Sequence, residues 1–219
     1  DDCSSRGLGD VYKRQDYYAE NITNIPKTGS AIVVANHPFG LLDGLIICSI
    51  ICDIRKDYKI LINEEVSQID QIREYLLPIK FSSVTADIKK NIITKKKAIE
   101  HLNSNGILIT FPSGEVATSS LIFNEANERE WKPLIGSIIN KTKAEIVPVR
   151  FFGKNSLFFH TIGFINNNLR RVLFIRELFN KKNKKFNLSI GKRITLLQKE
   201  KLSNRQIVEK LRSIVLNIN

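Results

Sequence analysis

The chain contains only three histidines, His37, His101 and His160, and one of them stands where proton transfer is practical. His37 directly follows the apolar run Ala31–Ala35 and precedes Pro38, which places it on a loop at the C-terminal end of a buried strand. In open α/β sheets, ligands bind at that end. Asp43 follows six residues later, close to the start of the next helix. A carboxylate there can take a hydrogen bond from one ring nitrogen, fix the tautomer and stabilise the imidazolium, leaving the other nitrogen as a general base. Such a base is worth on the order of 10²–10⁴ in rate. A loop histidine beside an N-capping aspartate accounts for the same spacing, so spacing alone leaves both readings open. The catalytic reading predicts a ring nitrogen within about 2.6–3.2 Å of the carboxylate, with both residues opening onto a cleft.

A second constellation, Phe111-Pro112-Ser113-Gly114-Glu115, also stands immediately after a strand-like run, Gly106–Phe111. Gly114 permits close backbone approach, and exposed N–H groups in such a turn can hold an anion. An ordinary Pro-Ser-Gly turn explains the same residues. It is not a nucleophile elbow, because Phe111 stands where that motif needs glycine. His101 near the end of a Lys-rich helix complements the helix C-terminus, and His160 within Phe158-Phe159-His160 reads as a packed aromatic. Cys48 and Cys52, four apart on a helical segment, are badly placed for a mutual disulfide and have no partners for a zinc site.

The elements that must position these residues alternate along the chain in a β–α pattern, so the expected fold is a single α/β domain. Its central sheet should be mostly parallel or mixed and flanked by helices. Ala31–Ala35 is a strand and Leu42–Asp53 an apolar helix. Lys59–Asn63 is a strand, followed by a helix with Val66, Ile69, Ile72 and Leu76 on one face, and Ile79–Phe81 is a short strand. Ile88–Leu102 is a Lys-rich helix closed by Asn105-Gly106, and Gly106–Phe111 is the clearest central strand. Trp131–Lys143 is a helix with Pro133 in its first turn. Glu145–Phe152 is a strand whose Pro148 implies an edge or irregular position. Ser156–Leu178 is a Phe-rich helix, Phe186–Ile190 the last strand and Ser203–Leu216 a closing amphipathic helix.

At 219 residues the chain is large enough for one domain with its own core. The net charge of +12 demands an anionic partner: a membrane surface, nucleic acid or a phosphorylated substrate. The tract Asn180–Lys185 could serve a non-catalytic basic protein that binds anionic membrane or nucleic acid. No helix-turn-helix, zinc or RNA-recognition signature accompanies it, however, and no nucleic-acid partner is expected. Residues 1–15, DDCSSRGLGDVYKRQ, lack apolar periodicity and look like a translated adapter sequence, so they are expected to add nothing to the fold. The domain is then 16–219, with its natural start missing. The apolar run Leu41–Ile51 is too short to span a bilayer and contains Asp43. The segment Ser156–Phe179 mixes Leu157, Phe158, Phe159, Ile162, Phe164 and Ile165 with Arg170, Arg171 and Arg176, a mixture suited to an interfacial helix on anionic lipid, or equally to core.

Taken together and in order, Ala35-Asn36-His37-Pro38-Phe39-Gly40 with Asp43-Gly44, the Phe111–Glu115 block and Val147-Pro148-Val149 resemble the 1-acylglycerol-phosphate acyltransferase superfamily. They are most similar to its hemolysin-like and ornithine-lipid-type branch. Trp131-Lys132-Pro133, Phe152-Gly153-Lys154-Asn155-Ser156 and Arg176–Lys181 are further similar stretches, and the likeness runs from about Asn24 to Ile194. The resemblance implies His37 and Asp43 as the catalytic pair, with Asn36, Phe39, Gly40, Ser113, Gly114, Glu115, Lys154 and Arg176 at the substrate. It implies direct transfer of a fatty acyl group from acyl-CoA or acyl carrier protein to a lysolipid hydroxyl, with no metal, no resident cofactor and no acyl-enzyme. The backbone at Ser113–Glu115 would stabilise the oxyanion, Glu115 would orient the acceptor, and Arg176 with Lys181 would meet anionic groups. The implied location is the cytoplasmic face of the inner membrane, held peripherally on an anionic surface. Two departures limit what carries over, the first touching the geometry of the pair and the second the acceptor. Five residues separate His37 from Asp43 where the glycerophosphate enzymes have four. Ser113 and Val116 replace the Glu and Arg of the usual FPEGTR block, and the Arg is the family's phosphate-holding residue. The loss of that Arg counts against a glycerol-phosphate acceptor and makes a lysolipid built on an amino acid its rival, so the expected acceptor is a lysophospholipid or a lyso-amino-acid lipid.

Overall fold

The computed structural model describes residues 17–64, 70–80, 85–114, 130–153, 185–195 and 202–219. The strands are β1 (Tyr17–Glu20), β2 (Ala31–Ala35), β3 (Tyr58–Asn63), β4 (Leu76–Ile79), β5 (Ile107–Thr110), β6 (Glu145–Phe152) and β7 (Phe186–Ile190). The α-helices are α1 (Leu41–Ile54), α2 (Thr85–Asn103), α3 (Leu134–Ile139) and α4 (Asn204–Leu216). The seven strands form one sheet in the order β1-β7-β6-β2-β5-β3-β4. Every neighbouring pair is parallel except β6 with β7, which is antiparallel. The expected α/β domain with a mostly parallel, mixed sheet is the fold observed.

The alternation of side chains along a strand divides the core into two layers. In β2 all five residues are 0% exposed, as an interior parallel strand requires. Ala31, Val33 and Ala35 face α1, whose Leu42, Ile46, Ile47, Ile50 and Ile51 cover that side. Ile32 and Val34 face the other side, covered by Ala98 and Leu102 of α2, Ile135 and Ile138 of α3, and Ile207, Val208, Leu211 and Val215 of α4. Each fully buried isoleucine contributes about 1.5–3 kcal/mol through lost water contact. Ser203 starts α4 by accepting the Gln206 N–H, while the Gln206 side chain accepts the Ser203 N–H.

Proline explains two differences from the sequence reading. The apolar spacing of Val66, Ile69, Ile72 and Leu76 predicts one helix, yet residues 70–75 form 3₁₀ turns and Leu76 opens β4. Pro78 is tolerated there because β4 is an edge strand. Its carbonyl accepts the Thr94 hydroxyl at 2.7 Å, and the Asn91 amide bonds both backbone groups of Lys80, so α2 covers this edge. Pro148, by contrast, lies in an interior strand. Its carbonyl takes the Gly191 N–H at 2.8 Å, and the N–H it lacks would point the same way. Pairing with β7 stops there, at Val149–Ile190, and resumes only as a bridge between Ile146 and Ile194. The irregular position is therefore the one it occupies. The helix predicted over Trp131–Lys143 is shorter, Leu134–Ile139, and starts directly after Pro133. The strand β1 went unpredicted. The expected Phe-rich helix and the Lys tract at 180–184 lie outside the described residues.

At the N-terminal end of the parallel strands the buried Arg55 guanidinium gathers three loops. It donates to the carbonyls of Pro26, Gly29 and Asn105 and forks onto Asp57 with two 2.6 Å contacts. The Arg55 hydrogen bonds hold the Asp57 carboxyl below its usual range. Cys48 is a free thiol whose burial pushes its pKa up to about 12. Among the described residues no helix is long and apolar enough to cross a membrane.

Candidate functional site

The strand order creates the site. β2 lies between β5 and β6, so the loops leaving the C-terminal ends of these three strands converge at one point of the sheet. Here the chain changes direction across the sheet, which is the kind of crevice that α/β proteins use for ligands.

From β2 the chain enters the loop Asn36–Gly40 and then α1. Asn36 is 7% exposed, and its amide makes two bonds to one residue of β6, donating to the Phe151 carbonyl at 2.9 Å and accepting the Phe151 N–H at 2.7 Å. Both of its polar ends are thus engaged in fixing the root of the loop. Four residues on, Gly40 has φ 74° and ψ −128°, a conformation that glycine adopts and L side chains rarely do. This bend turns the chain into α1 and points the N–H groups of Phe39 and Gly40 inward.

Both N–H groups end on Asp43, which is fully buried in the first turn of α1. Its Oδ2 accepts from Phe39 at 2.8 Å and Gly40 at 3.0 Å, and lies 3.1 Å from His37 Nδ1. Backbone donors and the positive end of the helix dipole make this a favourable place for negative charge. A carboxylate accepting from Nδ1 assigns the proton to that nitrogen and the lone pair to Nε2. His37 is 17% exposed and Asp43 is 0% exposed, so Asp43 stands behind the imidazole rather than on the cleft itself.

The third wall comes from β5. Phe111 follows it directly, and its ring stacks on His37 with centroids 4.3 Å apart at 28°. The next residues close a turn in which Gly114 N–H donates to the Phe111 carbonyl at 2.9 Å, while Lys132 N–H holds the Pro112 carbonyl. The Gly114 N–H is thus used within the turn rather than offered to an oxyanion, and Ser113 is 1% exposed. What this block brings to His37 is Phe111. On its other side Phe111 joins Leu61, Ile79, Thr110, Pro112, Lys132, Leu134 and Ile135 around a shallow, mostly apolar depression of about 20 Å³, room for little more than one water.

Phe39 is placed differently from the sequence expectation. Its ring is 8% exposed and meets Phe186 edge-on at 5.2 Å, so it is core, and only its N–H serves the site. Above it lies Gly153, at φ 119°, where a Cβ would fall 2.7 Å from Phe39 Cζ. Neither Gly153 nor Phe111 stood out as a site residue in the sequence. The signal for Gly153 was its place in the Phe152–Ser156 stretch. Glu115, Lys154, Arg176 and Lys181, and the interfacial segment Ser156–Phe179, lie outside the described residues. Among the described residues no group of three or more His, Cys, Asp or Glu side chains could hold a metal ion.

Three comparisons bear on this arrangement. A family model described as Acyltransferase matches residues 11–217. A lyso-glycine lipid O-acyltransferase of Phocaeicola vulgatus is 27% identical over 80% of this chain and 63% of its own length. A protein of the same name from Bacteroides thetaiotaomicron is 28% identical over 80% of this chain and 64% of its own. The chain therefore spans a little under two thirds of the length of these relatives. Among solved structures, the 1-acyl-sn-glycerophosphate acyltransferase PlsC of Thermotoga maritima superposes with a TM-score of 0.59 at 19% identity. That match covers 95% of this chain and 76% of PlsC, and it shows a shared fold.

Proposed function

The chain belongs to the acyltransferase family whose model it matches, and from that premise we propose that it moves a fatty acyl group from a thioester to the hydroxyl of a lysolipid. The observation that carries this reading is the buried Asp43 carboxylate 3.1 Å from His37 Nδ1, with the imidazole stacked on Phe111. Asp43 holds the proton on Nδ1, and Nε2 removes the proton of the acceptor hydroxyl as its oxygen attacks the thioester carbonyl. Collapse of the tetrahedral adduct breaks the carbon–sulfur bond. The proton on His37 then passes to the departing thiolate, so ester and free thiol leave and the histidine is neutral again. The imidazolium formed between these steps lies between a carboxylate and an aromatic face, both of which favour its charge. The donor is acyl-CoA or acyl carrier protein.

Lyso-glycine lipid or a related lyso-amino-acid lipid is the acceptor this reading prefers. Two relatives carry that name, and Val116 replaces the arginine that grips phosphate in the glycerophosphate enzymes. The work belongs at the cytoplasmic face of the inner membrane, where lipid acceptor and thioester donor meet, and the net charge of +12 suits an anionic surface there. The test is competition between lyso-glycine lipid and lysophosphatidic acid for a common acyl donor, read by mass spectrometry. Acylated glycine lipid should dominate. Strong preference for lysophosphatidic acid would overturn the acceptor, and no product from either would overturn the activity.

A further inference from the structure

The helix α2 has two unlike faces. Asp87, Thr94, Ala98 and Leu102 are buried. The opposite side exposes Ile88 by 46%, Ile92 by 61% and Ile93 by 57%. Lys89 and Lys96 are exposed on the same side, with Glu100 3.8 Å from the Lys96 ammonium, so the face keeps an excess of positive charge through Lys89. At about 100° per residue, Ile92 and Ile93 flank these two lysines on the outermost face. Single exposed isoleucines are ordinary, but three within six residues of one helix, set among lysines, form a patch of mixed character.

The patch also has a definite place. α2 follows β4 and leads into β5, two parallel strands of one sheet, so it descends from the C-terminal edge where His37 lies. With a rise of 1.5 Å per residue, Ile88 to Ile93 fall within about 12 Å of the helix start, measured along its axis. They therefore sit toward the catalytic end of the domain.

We infer that the outer face of α2, built from Ile88, Ile92 and Ile93 around Lys89 and Lys96, docks the domain on an anionic bilayer. This rests on the reading of the acceptor as a membrane lipid. Isoleucine side chains enter the boundary between headgroups and acyl chains, while lysines reach outward to lipid phosphates. A nucleic acid or an acidic carrier protein would satisfy the lysines by charge but gives no comparable home to three branched apolar side chains. The bilayer satisfies both, and the patch lies toward the end of the strands at which His37 stands.

The experiment uses the full chain and sedimentation with vesicles of phosphatidylcholine, with or without phosphatidylglycerol. The variant Ile88→Ser/Ile92→Ser/Ile93→Ser should keep its circular dichroism and thermal midpoint yet bind anionic vesicles about tenfold more weakly. Lys89→Gln/Lys96→Gln should flatten the dependence on phosphatidylglycerol. In a separate Ile92→Trp variant, emission should move to the blue when vesicles are added. Transfer to acceptor dispersed as monomers should be unchanged in the serine variant, whereas transfer to acceptor held in vesicles should fall with binding. Vesicle binding equal to wild type in the serine variant would refute the docking face. So would Ile92→Trp emission that ignores vesicles but responds to acidic carrier protein or duplex DNA. If the wild type acylates no lysolipid, the activity fails while the vesicle result stands. Normal transfer with α2-independent vesicle binding would remove the docking face alone.

Discussion

The imidazole of His37 lies against the ring of Phe111, 4.3 Å between centroids, although the two residues leave different strands. The contact exists because β2 and β5 are neighbours in register, Val34 opposite Thr110. The stack fixes the plane of the base and offers a π face to the imidazolium. Phe111→Leu should lower kcat about tenfold with a smaller change in KM, and Phe111→Tyr should recover most of the loss. Unchanged kcat in Phe111→Leu would assign the ring to packing only.

Asp43→Asn should leave the fold in place, since an amide oxygen can still accept from Phe39 and Gly40. It should nevertheless reduce turnover by about 10²–10⁴, because the neutral amide removes the charge that stabilises the imidazolium formed on proton transfer. His37→Ala should abolish transfer with an unaltered circular dichroism spectrum. Retention of most of the activity by either variant would show that the base lies elsewhere.

Gly153→Ala is expected to destabilise the chain by about 1–3 kcal/mol, from a left-handed backbone and a Cβ pressed onto Phe39. It should also slow transfer, because Phe39 supplies an N–H to Asp43. Adding Phe39→Leu should relieve part of both defects. Purely additive losses in this double-mutant cycle, followed by urea denaturation and kcat, would mean the two positions are uncoupled.

Replacing Arg55 with methionine should cost about 2–4 kcal/mol, since it strands carbonyls of Pro26, Gly29 and Asn105 that the guanidinium now satisfies. Activity per folded molecule should hardly change, because the cluster is at the opposite end of the strands. A shift of the urea midpoint worth less than about 1 kcal/mol would show that water replaces it adequately.

His101 gives a pH dependence with a definite sign. Its half-buried ring packs over Gly106, where a Cβ would fall 2.3 Å away, and its Nε2 lies 3.1 Å from the Ile107 carbonyl. Burial lowers its pKa below the ordinary 6.5. The unfolded chain therefore binds this proton more readily than the folded one. The stability is present above about pH 6.5 and is lost as pH falls through the lower, folded value. Thermal midpoints recorded downward from pH 7.5 should fall less steeply for His101→Gln than for the wild type.

What the sequence made legible is mostly local. His37 and Asp43 lie within one strand–loop–helix passage, so six residues and a change of period locate both. β2, α1, β5 and α4 were likewise legible because each repeats its pattern over several residues. Phe111 against His37 and Gly153 above Phe39 depend on which strands become neighbours, and no local period records that. Residues 70–79 misled because Ile72 and Leu76 match helical spacing while the strand begins at the second of them. β1 is four residues long with a partly exposed pattern, too short to leave a period.

The Asp43 oxygen ties together His37, Phe39 and Gly40, and Asn36 fastens the same loop to β6. His37 and the described bonds that orient it thus lie within eight consecutive residues, Asn36 to Asp43, anchored to β6 through Asn36. One short strand–loop–helix passage therefore carries the base together with the bonds that aim it, and can be inherited as a unit.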